Sequence, residues 1–354
     1  MKIALFHNLY GELSRGGAET VVRQQAEQLR SAGHEVWLIT TKPRRSTLAA
    51  VETDADGLKI YRLSSCFAGL GKHGLGYRLA WQVGNMFSLG RYYRIKKILQ
   101  TEKPDRAITH NLMGLGFLTP LLLRRLGIRH EHFLHDIQLL HPSGLMIWGQ
   151  ERIISGPVAR LYQTLTRRLF AAPALVVSPS RWLLELHQKN GFFINSAAEI
   201  CPLKLTAAAG ARSATGKAAG HFLFVGQLEE HKGIFLLIEA FKKLADPAAR
   251  LFIVGDGRQT DNVREAAAGD ERVSLAGRLD SAAVQKAMLA SHYLVLPSLC
   301  YENSPTVIYE AHAAGLPVIA AALGGITEIT GPQDILFRPG DLDDLKQKLE
   351  SCLK

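Results

Sequence analysis

Two carboxylates, Glu302 and Glu310, stand seven residues apart in the stretch YENSPTVIYEAHAAGLPVIA, residues 301–320. Ser304 is a good N-cap, and Pro305 suits the first helical position, where its missing N–H costs nothing. The pattern predicts a helix to about Ala314, ended by Gly315 and Pro317. Helical side chains lean toward the N-terminus, so Glu310 leans toward the end that Glu302 flanks. That end exposes backbone N–H groups and the positive end of the helix dipole, which suit a phosphate. An anion held on backbone and hydroxyls held on two carboxylates describe a phosphorylated sugar. A surface helix with two solvated acids gives the same spacing, so the rest of the chain has to discriminate.

The elements that must position these groups come in two sets. Residues 1–40 read as strand (KIALFHN), Gly-rich loop (GELSRGGAE), helix (ETVVRQQAEQLRSAG) and strand (HEVWLITT). Val21, Val22, Ala26 and Leu29 keep a helical period. Strand–helix–strand with a short loop implies a parallel, doubly wound sheet, with ligands at the carboxyl ends of the strands, where Gly16 and Gly17 fall. Further strands are expected at LKIYRL, RAITH, RHEHFLH and ALVVSPS. Residues 204–220 are poor in large apolar side chains and read as a linker. The pattern then restarts with HFLFVGQL, GIFLLIEAFKKLA, RLFIVGDG, SAAVQKAMLA, YLVLPS and PVIAA. The expectation is α/β throughout: a first Rossmann-like domain at 1–203 and a second at 221–354. A last helix, 341–354, is a candidate to pack back on the first.

The chain has 354 residues, 47% hydrophobic and 21% charged, a globular composition of two-domain length. Four scattered cysteines without a C-x-x-C pair argue against a disulfide framework or zinc ribbon and fit a reducing cytosol. The opening MKIALFHNLY reads as a strand rather than a signal peptide, and no uncharged apolar run reaches membrane-spanning length. Residues 1–205 hold 27 Lys+Arg against 14 Asp+Glu, a surplus of +13, whereas residues 206–354 hold 15 against 18. An anionic partner for the first half is implied: nucleic acid, a phospholipid surface or a phosphorylated acceptor.

In this order the chain resembles the family 4 glycosyltransferases, which have the GT-B architecture of two facing Rossmann-like domains. The matching stretches are RGGAE (15–19), LHD (134–136), VSPSRW (177–182), VGQLEEHKG (225–233), VGDG (254–257), AGRL (276–279), residues 297–320 around the E-x7-E motif, and GGITE (324–328). They span nearly the whole chain. The resemblance implies a retaining, metal-independent transferase that needs no cofactor. A UDP- or GDP-sugar would be held mainly by the second domain and a glycan or lipid-linked acceptor by the first.

Residue by residue, the resemblance implies that Glu302 contacts the donor sugar and Glu310 the ribose. Asn303, Ser304, Pro305 and Thr306 would face the distal phosphate and sugar, and Lys232 would neutralise the diphosphate. Gly16 and Gly17 match the loop that closes over the donor. His135 matches the histidine at the sugar's reacting face, so His135 and Glu302 are the catalytic candidates. One position departs: where the family has arginine, this chain has Gln227. A permanent bidentate cation there becomes a neutral amide, with Arg15 or Arg278 as possible compensation.

Other motifs carry competing readings. HEHFLH offers His130, His132 and His135 with Asp136 to a metal, but His130 and His132 share one strand face and His135 the other. Sugar contact is the favoured reading, with Asp136 orienting His135 or capping the next turn. The GDG at 255–257 is a tight turn or a neighbour of the base, and Glu328 is loop structure. Residues 66–103 mix aromatics with Lys and Arg: core helices, or a basic face for an anionic membrane. An epimerase or phosphorylase of the same architecture is an alternative, although no context supports a pyridoxal-phosphate lysine. A nucleic-acid binder is another, without a recognised module.

Overall fold

The computed structural model describes residues 1–13, 17–170, 172–202 and 220–353, without the side chains of 68, 71, 72, 75 and 79. The expected linker therefore lies outside the described residues, apart from Gly220. The chain divides into two compact units. One is Met1–Gly144 with Ile153–Cys201; the other is Leu145–Arg152 with Pro202–Lys354. Each is a mixed α/β domain on a largely parallel sheet.

In the first unit the strands are β1 (Lys2–Phe6), β2 (Glu35–Pro43), β3 (Val51–Thr53), β4 (Lys59–Ser65), β5 (Arg106–Thr109), β6 (Arg129–Phe133), β7 (Leu175–Ser178) and β8 (Ala197–Ile200). They lie in the order β3-β4-β2-β1-β5-β6-β7-β8, parallel except for the β3–β4 pair. Ile3, Ala4, Leu5 and Phe6 of β1 are wholly buried, as a central strand covered on both faces requires. Helix Gly17–Ser31 buries Val21, Val22 and Ala26, the stripe its sequence period marks out.

The second unit holds β9 (His221–Val225), β10 (Arg250–Val254), β11 (Val273–Gly277), β12 (Tyr293–Leu296), β13 (Val318–Ala321) and β14 (Ile335–Phe337), ordered β11-β10-β9-β12-β13-β14 and all parallel. Alternation along β9 feeds two cores. Phe222 and Phe224 pack with Ile234, Leu237 and Phe241 of the helix Ile234–Lys242, and Leu223 packs with Met288, Ile308 and Ala311. Helices on both faces make the sheet doubly wound. Leu345 and Leu349 of the last helix, Leu342–Ser351, join the first of these cores.

In both sheets the direction of winding reverses beside the founding strand, between β1 and β5 in one and between β9 and β12 in the other. Such switch points leave a crevice at the carboxyl ends of the strands. Residues 145–152 lie inside the expected first domain but group with the second unit. The Trp148 N–H donates to the Leu299 carbonyl at 2.8 Å, and the Tyr301 N–H to Met146 at 2.8 Å.

Candidate active site

Lys232 and Glu302 meet across the switch point of the second sheet. Lys232 ends a short turn, Glu230–Lys232, after β9; Glu302 lies in the loop after β12. Gly233 (φ +72°) is what lets the two loops touch, because a Cβ there would lie 1.8 Å from the Pro297 carbonyl oxygen. The Leu299 and Cys300 N–H groups then both donate to the His231 carbonyl, at 2.9 and 3.2 Å. Behind Glu302 runs the GGITE segment: Gly324 (φ +63°) would place a Cβ 2.4 Å from the Glu302 carbonyl oxygen, and the Gly325 N–H donates to that oxygen at 2.8 Å.

The Glu302 carboxylate is correspondingly well held. Its Oε1 accepts from Lys232 Nζ at 2.6 Å, Ser298 Oγ at 2.9 Å and the Cys300 thiol at 3.6 Å. Burial disfavours the charge on Glu302, but the Lys232 ammonium outweighs it and leaves the pKa below the usual carboxylate value. Lys232 is likewise disfavoured by burial and held above its usual value by Glu302. Both therefore stay charged at neutral pH. Burial, then the Glu302 charge, pushes the Cys300 thiol up to about 12, so it is a proton donor and not a nucleophile.

The motif helix spans Thr306–Ala313 with Pro305 at its N-cap. Ser304 does not cap it, which corrects the sequence expectation; its hydroxyl instead lies 2.8 Å from the Tyr309 hydroxyl. Burial raises the Glu310 pKa, partly offset by a hydrogen bond with Thr306 one turn earlier. Asn303, Ser304, Pro305, Thr306 and Glu310 all remain partly exposed around this helix start. Gln227 lies exposed in the loop after β9. The GDG segment is held by backbone hydrogen bonds, the Leu228 N–H donating to the Asp256 carbonyl and the Gly255 N–H to the Gly277 carbonyl, each at 2.8 Å.

The first unit has its own row of polar groups at its switch point. His7 follows β1, His110 follows β5, and His135 stands two residues beyond β6. His135 Nε2 is 2.8 Å from His110 Nδ1, and His110 Nε2 is 2.9 Å from Gln25 Oε1. The next residue in each case forms a second row: Asn8 Nδ2 donates to Asn111 Oδ1 at 3.1 Å, and Asn111 Nδ2 to Asp136 Oδ2 at 3.2 Å. Asp136 Oδ1 also accepts the Gln138 N–H at 2.7 Å, so Asp136 caps the next turn. Burial pushes Asp136 up to about 6 and His135 down to about 4.

His130 and His132 lie apart from that row, sharing the Thr109 hydroxyl at 2.7 and 2.8 Å. Among the described residues no three His, Cys, Asp or Glu groups are arranged to hold a metal. Gly17 opens the first helix, whereas Gly16 and Arg15 lie outside the described residues. Ser298, Cys300, His7, His110 and Gln25 are not among the site residues expected from the sequence. The repeated HN, HN and HD at three strand ends is the signal that could have revealed the first-unit row.

Two family models match in tandem: "Glycosyl transferase 4-like domain" over residues 16–201 and "Glycosyl transferases group 1" over residues 219–354. The chain belongs to the family 4 glycosyltransferases. Among its relatives is an uncharacterised 42.6 kDa protein in the cps region of Klebsiella pneumoniae, 26% identical over 98% of this chain and 91% of that protein. A putative teichuronic acid biosynthesis glycosyltransferase, TuaC of Bacillus subtilis, is 33% identical over 36% of this chain and 31% of its own. The fold also matches Anabaena HepE in complex with UDP-glucose, with a TM-score of 0.72 and 17% identity over 100% of this chain and 90% of that one. The glycosyltransferase thus has its family's GT-B fold.

Proposed function

We propose that this glycosyltransferase moves a sugar from a UDP- or GDP-sugar to a glycan or lipid-linked acceptor in bacterial envelope polysaccharide or glycolipid assembly. It does so with retention of anomeric configuration and without a metal. The observation that carries the reading is the Lys232–Glu302 pair beside the start of helix Thr306–Ala313. Departure of a nucleoside diphosphate needs positive charge on the developing phosphate oxygens. Lys232 and the backbone N–H groups around Thr306 supply it. Glu302 is a held acceptor for sugar hydroxyls, and Glu310 a partly buried one for the ribose. In the first domain His135, neutral at physiological pH, offers an uncharged contact to the sugar's reacting side.

A thermal-shift screen of nucleotides and nucleotide sugars tests this. At a hundred times its dissociation constant a true donor adds about 2.7 kcal/mol of stability. The reading fails if no UDP or GDP compound stabilises the protein, or if one stabilises Lys232→Ala and Glu310→Ala equally well. NMR of the product's anomeric centre tests retention, and transfer in excess chelator tests metal independence.

A further inference from the structure

We infer that Gln25 and His110 are positioning residues for the transfer reaction, acting through His135. This rests on the reading of His135 as the sugar contact and extends it to two side chains that do not touch substrate. The three groups form one hydrogen-bonded line, Gln25 Oε1 to His110 Nε2 at 2.9 Å and His110 Nδ1 to His135 Nε2 at 2.8 Å. An amide oxygen only accepts, so Gln25 requires the proton of His110 on Nε2. His110 Nδ1 is then an acceptor and requires a proton on His135 Nε2. The polarity therefore runs through both rings and leaves His135 Nδ1 as the ring's proton-acceptor atom. Which nitrogen of a histidine carries the proton is set by the partner of the other one.

The packing supports a fixed geometry rather than a chance contact. His110 is 1% exposed. Its ring lies 5.1 Å from that of His135 and 5.3 Å from Phe133, and Phe133 stacks in turn on His135 at 5.0 Å. His7, also 1% exposed, closes the group with ring distances of 6.0 Å to His110 and 5.8 Å to His135. Gln25 belongs to helix Gly17–Ser31, which follows the Gly-rich loop, whereas His110 and His135 follow strands. The line thus ties the first helix to the ends of β5 and β6. A fixed tautomer holds the His135 ring in one orientation, with one nitrogen a donor and the other an acceptor. The opposite tautomer would exchange donor and acceptor on the ring and break the contact with His110.

The test combines histidine nitrogen NMR with kinetics on the full chain. Spectra of ¹⁵N-histidine-labelled protein should show His135 protonated on Nε2 and unprotonated on Nδ1. Gln25→Glu, an obligate acceptor, should keep that state; Gln25→Met should give a mixture of tautomers. His110→Asn places an amide oxygen near the former Nδ1 and should keep it; His110→Leu should not. With UDP-glucose and GDP-mannose as donor probes, the variants that lose the tautomer should release nucleotide about tenfold more slowly, as expected of a misplaced reacting group. Their affinity for UDP or GDP alone should be unchanged, because the inference assigns the line to the sugar contact and not to the nucleotide. His135 protonated on Nδ1 in the wild type overturns the inference, as does Gln25→Met with wild-type spectra. Full transfer by His135→Ala would instead overturn the sugar-contact reading, and is told apart because the Gln25 spectra do not depend on it.

Discussion

Lys232 Nζ lies 2.6 Å from Glu302 Oε1, so the cation proposed for the donor's diphosphate is paired with the acid proposed for its sugar. The two loops that carry them are joined by backbone hydrogen bonds, so this pairing is built into the crevice. A nucleotide sugar bound as proposed would share Lys232 with Glu302. Removing either partner should therefore have opposite effects on nucleotide binding.

Lys232→Met should weaken UDP or GDP binding about tenfold or more, the usual scale for a charged hydrogen bond. It should also destabilise the protein by about 2 kcal/mol, below the 3–5 of a fully buried pair because both side chains keep some contact with water. Glu302→Gln should bind the bare nucleotide at least as tightly as wild type, yet transfer sugar much more slowly. The double variant should recover stability relative to Lys232→Met. Calorimetric titration with UDP and GDP, urea unfolding and a transfer assay check the three variants. Weaker nucleotide binding by Glu302→Gln would show that Glu302 does not compete for Lys232.

Gln227→Arg should retain transfer and raise it if leaving-group charge is limiting. Gln227 is exposed on the loop after β9, so a longer side chain meets no packed core. The expected gain is a permanent, bidentate cation near the proposed diphosphate position. Steady-state kinetics on the identified donor decide it. Abolished donor binding would mean that this pocket holds its phosphates differently from the family.

The ten strands expected from sequence are the inner strands of the two sheets, and the four unexpected ones, β3, β8, β11 and β14, are the four sheet edges. Inner strands such as Val318–Ala321 are wholly buried and give an unbroken apolar run. An edge strand such as Ala197–Ile200 is largely exposed and carries no such signal. The two glutamates were legible for a similar reason, since helix and turn chemistry mark them locally. The Lys232–Glu302 pair joins residues 70 apart and the His110–His135 contact residues 25 apart. Pairings of that separation depend on strand order, which no local pattern contains. Residues 145–152 were misplaced for the same reason, being local in sequence to one unit and bonded to Leu299 and Tyr301 of the other.

Acid should unfold the first domain before the second. Burial holds His7, His110 and His132 well below the usual histidine value and brings His130, His135 and His187 down to about 4. The unfolded chain takes up these protons near pH 6.5 and the native domain does not. Stability is therefore full above about pH 6.5 and falls as pH drops toward 4, by about 3 kcal/mol for a histidine shifted that far. Asp136, raised to about 6, works in the other direction as a single group. In the second domain Glu302 sits below its usual value, so its contribution persists until pH falls below the ordinary carboxylate range. Hydrogen exchange at pH 7.5, 5.5 and 4.5 should show β1, β5 and β6 losing protection while β9 and β12 keep it. Simultaneous loss in both sheets would refute the assignment.

The first domain should bind anionic membranes through helices Leu75–Met86 and Leu89–Glu102. Among the described residues no helix is long and apolar enough to cross a membrane, so any attachment here is to a surface. These helices leave Tyr77, Val83, Phe87, Leu89 and Tyr93 between 45% and 63% exposed, beside the exposed Arg78, Arg94 and Lys97. Apolar side chains that find no core there can enter the headgroup region while the cations meet lipid phosphates. Each such cation contributes about 1 kcal/mol near an anionic surface, so three or four give reversible attachment that weakens with salt. The alternative is a basic face that meets a phosphorylated oligosaccharide in solution. Cosedimentation with anionic and neutral vesicles at low and high salt separates the two. Binding should occur on anionic vesicles at low salt, fall at high salt, and fall further when Phe87 and Tyr93 are replaced by serine. Equal partitioning on both lipids, or none on either, removes the membrane role and leaves the soluble acceptor.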